Sequence, residues 1–175
     1  MNSWLIRTVV LVLAFSTATS ALAASTAKAA LKEVLAESKK WQADAVLTHV
    51  ATLTGKADGT ARSWLYTVYS PKAKKSAIIT ARDTKLETDE VDRNTSMLPL
   101  AEDFLGSDKV AEAARKAGLK LDTDGIGFGL TTFGQATGKP SVYWTVTIMS
   151  DEAMSSVTLG AKDGALIRRD EVKLK

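Results

Sequence analysis

Trp64 to Asp83 (WLYTVYSPKAKKSAIITARD) and Trp144 to Asp163 (WTVTIMSDEAMSSVTLGAKD) align without a gap at an offset of eighty positions. The alignment pairs Trp64 with Trp144, Val68 with Ile148, Ser70 with Ser150, Ala73 with Ala153, Ala81 with Ala161 and Asp83 with Asp163, and just beyond it Leu86 meets Leu166. Self-similarity at a fixed offset is expected when one supersecondary unit has been copied and the copies bury surface against each other. Alternation within the stretch separates two faces. Trp64, Tyr66 and Val68 share one face, as do Trp144, Val146 and Ile148, and the third strands add Ala77, Ile79 and Ala81 against Val157, Leu159 and Ala161. These sets are expected to turn inward. Leu65, Tyr69, Tyr143 and Met149 then point the other way, with Thr67, Thr145 and Thr147 among them.

Working outward, residues 26 to 41 have the Ala, Leu, Lys and Glu content and the apolar spacing of a helix. Strands are expected at 45–53, 64–69, 77–81 and 86–91, with Asp58-Gly59 as a turn. The order then restarts. Ser107 is placed as a helix N-cap, Gly118 as its stop, and strands follow at 125–133, 142–149, 157–161 and 166–172. The predicted class is α+β: two tandem units, each a helix and a four-stranded antiparallel sheet, packed as one body. The first unit spans 24–93, a connection containing Pro99 spans 94–106, and the second unit spans 107–175.

Residues 1–23 carry Arg7, an apolar run from Val9 to Phe15 and Ala21-Leu22-Ala23, the layout of a cleavable secretory signal. The apolar run is far short of the roughly 20 residues that span a bilayer, so no stable membrane anchor is expected. The expected location is the periplasm or the exterior. With no cysteine in the chain, neither a disulfide nor an attached lipid is available, and stability has to come from packing. A half of about 70 residues would be marginal alone, so the halves are expected to share a core. The formal net charge of +3, one unit of it from Arg7, is too small to call for nucleic acid.

Three motifs in the second half resemble a PepSY-like domain. Residues 107–114 (SDKVAEAA) are similar to that family's helix, 139–146 (KPSVYWTV) to its Trp-bearing strand and 157–166 (VTLGAKDGAL) to its closing hairpin. Gly160 stands where the family usually has Asp and Asp163 where it usually has Thr, and the first half keeps Trp64 and Ala81 but has Thr84 at the turn glycine. The resemblance implies a cystatin-like outline of helix on antiparallel sheet in an exported bacterial protein that binds or inhibits, and it implies no catalytic residue. Gln135-Ala136-Thr137-Gly138 does not reproduce the cystatin inhibitory loop.

Chemistry-bearing residues are sparse. His49 is the only histidine and lies in a strand pattern, with no cysteine anywhere to share a metal and no serine in an exposed nucleophile turn. Asp122-Thr123-Asp124-Gly125 starts like a calcium loop, but Ile126, Gly127 and Phe133 occupy the places of later ligands. Gly125, Gly127 and Gly129 fall on one strand face, where Ala113, Ala114 and Ala117 are expected to press closely. Lys72, Lys74 and Lys75 form a small basic loop with no interleaved aromatics. Glu87, Asp89, Glu90 and Asp92 make one final strand acidic, and Arg168, Arg169, Lys173 and Lys175 make the other basic. Such strands either face each other, within a molecule or between two, or are sheet edges kept charged.

The expected function is an exported, non-catalytic binding protein, with no cofactor or metal, that engages a protein, peptide or envelope component as a binder, inhibitor or regulator. Leu65, Tyr69, Tyr143 and Met149 are the candidate contact face, and oligomers are compatible with it. The alternative is a small-ligand carrier with a pocket between the two halves near the glycine strand.

Overall fold

The computed structural model of the chain describes residues 24–83, 85–92, 98–123, 125–133 and 141–174. The elements in chain order are α1 (Leu31–Trp41), β1 (Val46–Gly55), β2 (Ser63–Ser70), β3 (Lys75–Arg82), β4 (Lys85–Val91), α2 (Ser107–Lys116), β5 (Ile126–Phe133), β6 (Ser141–Met149), β7 (Ala153–Gly160) and β8 (Leu166–Lys173). All eight strands form one antiparallel sheet in the order β4-β3-β2-β1-β5-β6-β7-β8. This corrects the expectation of two separate helix-plus-four-strand units. The joint is β1 against β5, where Val50 pairs with Leu130, Ala51 with Gly129 and Thr52 with Phe128. Each strand leaves a free backbone edge unless something pairs with it, and pairing these two edges removes both at once.

Because the joint is edge to edge, both helices lie on the same side of the sheet, α1 over β3 and α2 over β6 and β7. The inward sets meet them there. Trp64, Tyr66, Val68, Ile79, Trp144, Val146, Val157 and Leu159 are all fully buried, as are Val34 of α1 and Val110, Ala111 and Ala114 of α2. The two indoles touch edge to face at 6.5 Å, Trp64 also meets Phe128 at 6.2 Å, and Phe104 meets Trp144 at 6.1 Å. Such ring contacts contribute beyond the area they bury. Each indole N–H also finds a carbonyl 39 residues earlier, Trp64 donating to Ser25 O and Trp144 to Leu105 O. One core therefore runs under the whole sheet.

Helix α1 is shorter at its start than the composition predicts. The backbone of Ala27 is engaged elsewhere, its N–H donating to Ser107 Oγ (2.9 Å) and its carbonyl accepting from the Tyr66 hydroxyl (2.7 Å), so residues 27–30 form turns before the helix begins. Ser107 does not cap α2. Its hydroxyl, fully buried, accepts from Ala27 and donates to the Gly59 carbonyl (2.6 Å), bridging the start of the second helix to two segments of the first half. Gly59 has φ +81°, and a Cβ there would lie 2.2 Å from the Ser107 carbonyl oxygen, so only glycine fits that approach.

The acidic and basic final strands do not face each other within the molecule. β4 and β8 are the two outermost strands, at opposite edges of the sheet. Glu90 of β4 is held by Lys75 at 2.5 Å and by Trp41 Nε1 at 3.4 Å, which brings its carboxyl below the ordinary glutamate value.

The shared core and the Ser107 bridge predict unfolding as one unit. Ser107→Ala leaves the Ala27 N–H and the Gly59 carbonyl buried without this partner, and is expected to lower unfolding free energy by about 1–3 kcal/mol while keeping a single transition. Urea titration followed by both fluorescence and circular dichroism measures this. Two separated transitions in the wild type would contradict a common core.

Candidate functional site: the open face of the sheet

Among the described residues, nothing packs as an element over the side of the sheet opposite the helices. All four predicted contact residues stand on this side, yet they do not form one cluster. Tyr69 on β2 and Tyr143 on β6 are both half-buried and lie toward one end of the sheet, opposite Val46 and Thr131 respectively. Leu65, 39% exposed, is midway along β2 against Ala51. Met149, 65% exposed, is at the other end of β6 and pairs with Met154.

Between the β2 and β6 side chains runs a shallow trough along β1 and β5. Its floor is Ala51, Gly127 and Gly129, closed toward the Met149 end by Leu53, which stands 79% exposed beside Gly127, and Leu65 and Thr67 stand on one side of it with Tyr143, Thr145 and Thr147 on the other. This overturns the expectation that the strand glycines receive the alanines of α2. Phe128 and Leu130 take the helix side, and alternation sends Gly127 and Gly129 to the open side. A Cβ on Gly129 would lie 3.9 Å from His49 Cε1, and one on Gly127 would lie 3.6 Å from Thr147 Cβ, both ordinary contacts. The missing side chains thus create relief in the face; close packing does not demand them. Gly125 has φ +80° and sits before the strand, outside the trough floor.

His49 stands in this trough because a bulge between Leu47 and His49 interrupts the alternation of β1. The bulge keeps Leu47 and Val50 both inward, and Thr48, also buried, donates to the Thr67 carbonyl at 3.1 Å. Burial pushes the imidazole below its ordinary pKa, and a backbone hydrogen bond with Leu130 pulls the other way. Its Nδ1 is buried without a hydrogen-bond partner. No group of three metal-ligating side chains occurs among the described residues. Sequence reading missed His49, Gly127 and Gly129 as members of this face. The glycine alternation was the available signal, but without the β1–β5 pairing its side of the sheet was undetermined.

Other predicted features are settled locally. Asp44 accepts from Ser70 Oγ and from the Lys72 N–H, both at 2.8 Å, which lowers its pKa and pins the lysine loop. Lys75 of that loop is paired with Glu90. Asp124, residues 134–140 with Gln135-Ala136-Thr137-Gly138, and the predicted signal at 1–23 lie outside the described residues. The space between the halves is filled by the Trp64, Trp144, Phe104 and Phe128 rings. Two clefts lie on the helix side near the sheet edges. One of about 450 Å³ is bounded by Leu105, Lys109, Ala113, Asp163 and Leu166, and one of about 370 Å³ by Ala29, Ala30, Glu33, Asp83 and Leu86. No helix among the described residues is long and apolar enough to cross a membrane.

No family model and no curated protein matches the chain, so the PepSY-like resemblance rests on its short motifs. Among solved structures the chain is similar to that of a putative lipoprotein from Clostridium difficile 630, with 12% identity and a TM-score of 0.54, covering 81% of this chain and 92% of that one. This likeness shows the fold alone.

The position of His49 sets a pH dependence. Its pKa is lower folded than unfolded, so the unfolded chain takes up the proton first; this contribution to stability is complete above the unfolded value of about 6.5 and is lost as pH falls below it. Melting temperature is expected to drop on acidification from neutrality to about pH 5, and His49→Gln is expected to flatten that part of the profile. An identical profile for the variant would show that the imidazole is not desolvated.

Proposed function

We propose that this is an exported binding protein without catalytic machinery, which holds a protein or peptide of the cell envelope against the open sheet face. The observation that carries the reading is the asymmetry of the sheet. Both helices cover one side, while the other presents a short small-residue trough flanked by Leu65, Tyr69 and Tyr143, with Leu53 and Met149 exposed at its far end. An apolar and aromatic surface of this kind, flanked by threonine hydroxyls, suits an extended polypeptide whose side chains enter the trough.

Export is supported by the signal-like layout of residues 1–23 and by the lipoprotein description of the structural neighbour. The chain has no cysteine to carry a lipid itself, so the mature protein is read as free in the periplasm or secreted. The carrier reading has less support, because aromatic rings occupy the junction of the halves and both clefts lie far from it.

Affinity capture from envelope proteins and peptides, with the mature chain as bait, tests the face. Tyr69→Ala combined with Tyr143→Ala removes the flanking rings, and Gly129→Thr fills the floor at a position where a Cβ makes only ordinary contact. Both variants are expected to fold and to lose the captured partner. Undiminished capture by both would remove the open face from consideration.

A further inference from the structure

Large exposed hydrophobic side chains are concentrated at one edge. Of the seven among the described residues, Leu166, Ile167, Val172 and Leu174 belong to β8 or the residue after it. A long edge strand with exposed apolar side chains is a template for pairing with another chain. The start of β8 is guarded, since its pairing with β7 is bulged between Thr158 and Leu159 and Arg169 reaches back to the Ala117 carbonyl. Among the described residues the end of β8 has no bulge, and the charges that flank Val172, Glu171 and Lys173, are of opposite sign.

On the open face Met149 pairs with Met154, and Met154 pairs with Val172. An apolar stripe therefore crosses β6, β7 and β8 and stops at the free edge. The Leu174 N–H donates inward to the Glu152 carbonyl at 2.8 Å. By the alternation of an antiparallel ladder, the backbone groups of Glu171 and Lys173 point outward, ready to pair. The three residues Glu171-Val172-Lys173 are self-complementary about their centre. A two-fold axis through Val172, perpendicular to the sheet, sets Glu171 opposite Lys173 of the second copy twice over, and sets Val172 opposite itself so that the stripe continues across the axis. The same operation keeps both helical layers on one side.

We infer that two copies of this chain join through the end of β8, Glu171 facing Lys173, to form one continuous antiparallel sheet. Such a contact is isologous and closes at two copies. The other edge is less suited, because a two-fold axis at Thr88 in the middle of β4 sets the acidic Glu87 against Asp89. Pairing β8 of one copy with β4 of the next would leave an edge open at each end and give growing chains.

Sedimentation and light scattering of the mature chain over a concentration series test this without any partner, so the outcome is independent of the proposed binding function. A reversible dimer is expected. Glu171→Lys or Lys173→Glu alone turns two attractive pairs into two repulsive ones and is expected to weaken the dimer roughly tenfold, and the double exchange E171K/K173E is expected to restore it. Val172→Cys gives this cysteine-free chain a single thiol on the axis. The directly opposed, non-hydrogen-bonded pair has a Cα separation of about 4.5 Å, inside the range a disulfide spans, so mild oxidation is expected to trap a covalent dimer. A wild type that stays monomeric at every concentration overturns the inference. So does a double exchange no tighter than the single variants, or a mass that grows beyond two copies.

Discussion

The pairing of β1 with β5 is the constraint from which the other features descend. Val50 against Leu130 and Thr52 against Phe128 fuse two four-stranded ribbons into one sheet. Once the ribbons share a plane, their helices have to share a side, and Trp64, Trp144 and Phe128 are brought together beneath the seam. The opposite side is left without a covering element among the described residues, and the two last strands become the sheet's edges. Core, open face and edges are thus three results of one ladder.

Local signals in the sequence were legible to the extent that they are local. Alternation identified the inward sets around Trp64 and Trp144, and the glycine of the expected turn at Asp58-Gly59 adopts the left-handed conformation, with φ of +81°. The repeat marked corresponding strands. It did not say which edges meet, because pairing between β1 and β5 depends on residues some eighty positions apart and leaves no periodic trace in either strand. The same gap explains the glycines: their spacing placed them on one face, and only the ladder tells which side of the sheet that face is. Ser107 illustrates the other kind of miss. Its position before an apolar helical stripe reads as a cap, yet long-range contacts with Ala27 and Gly59 claim the hydroxyl.

The candidate face was readable as a set of residues and not as a shape. Leu65, Tyr69, Tyr143 and Met149 do share a side, but the relief between them comes from Ala51, Gly127 and Gly129, whose smallness carries no chemical signature in a linear string. His49 enters it through a bulge that period-two reasoning cannot anticipate. The clefts near the sheet edges also arise from tertiary placement, where each helix passes a hairpin from its own half.

The seam also orders events in time. A chain delivered from its N-terminus completes β1 to β4 and α1 long before residue 126 is available, so during that interval β1 is an unpaired edge and Trp64 lacks its neighbouring indole. The early half, marginal by itself, then lacks both the edge partner and the ring contacts that complete its core. Until residues 126–133 are available, the border that becomes the middle of the sheet is an edge open to other strands.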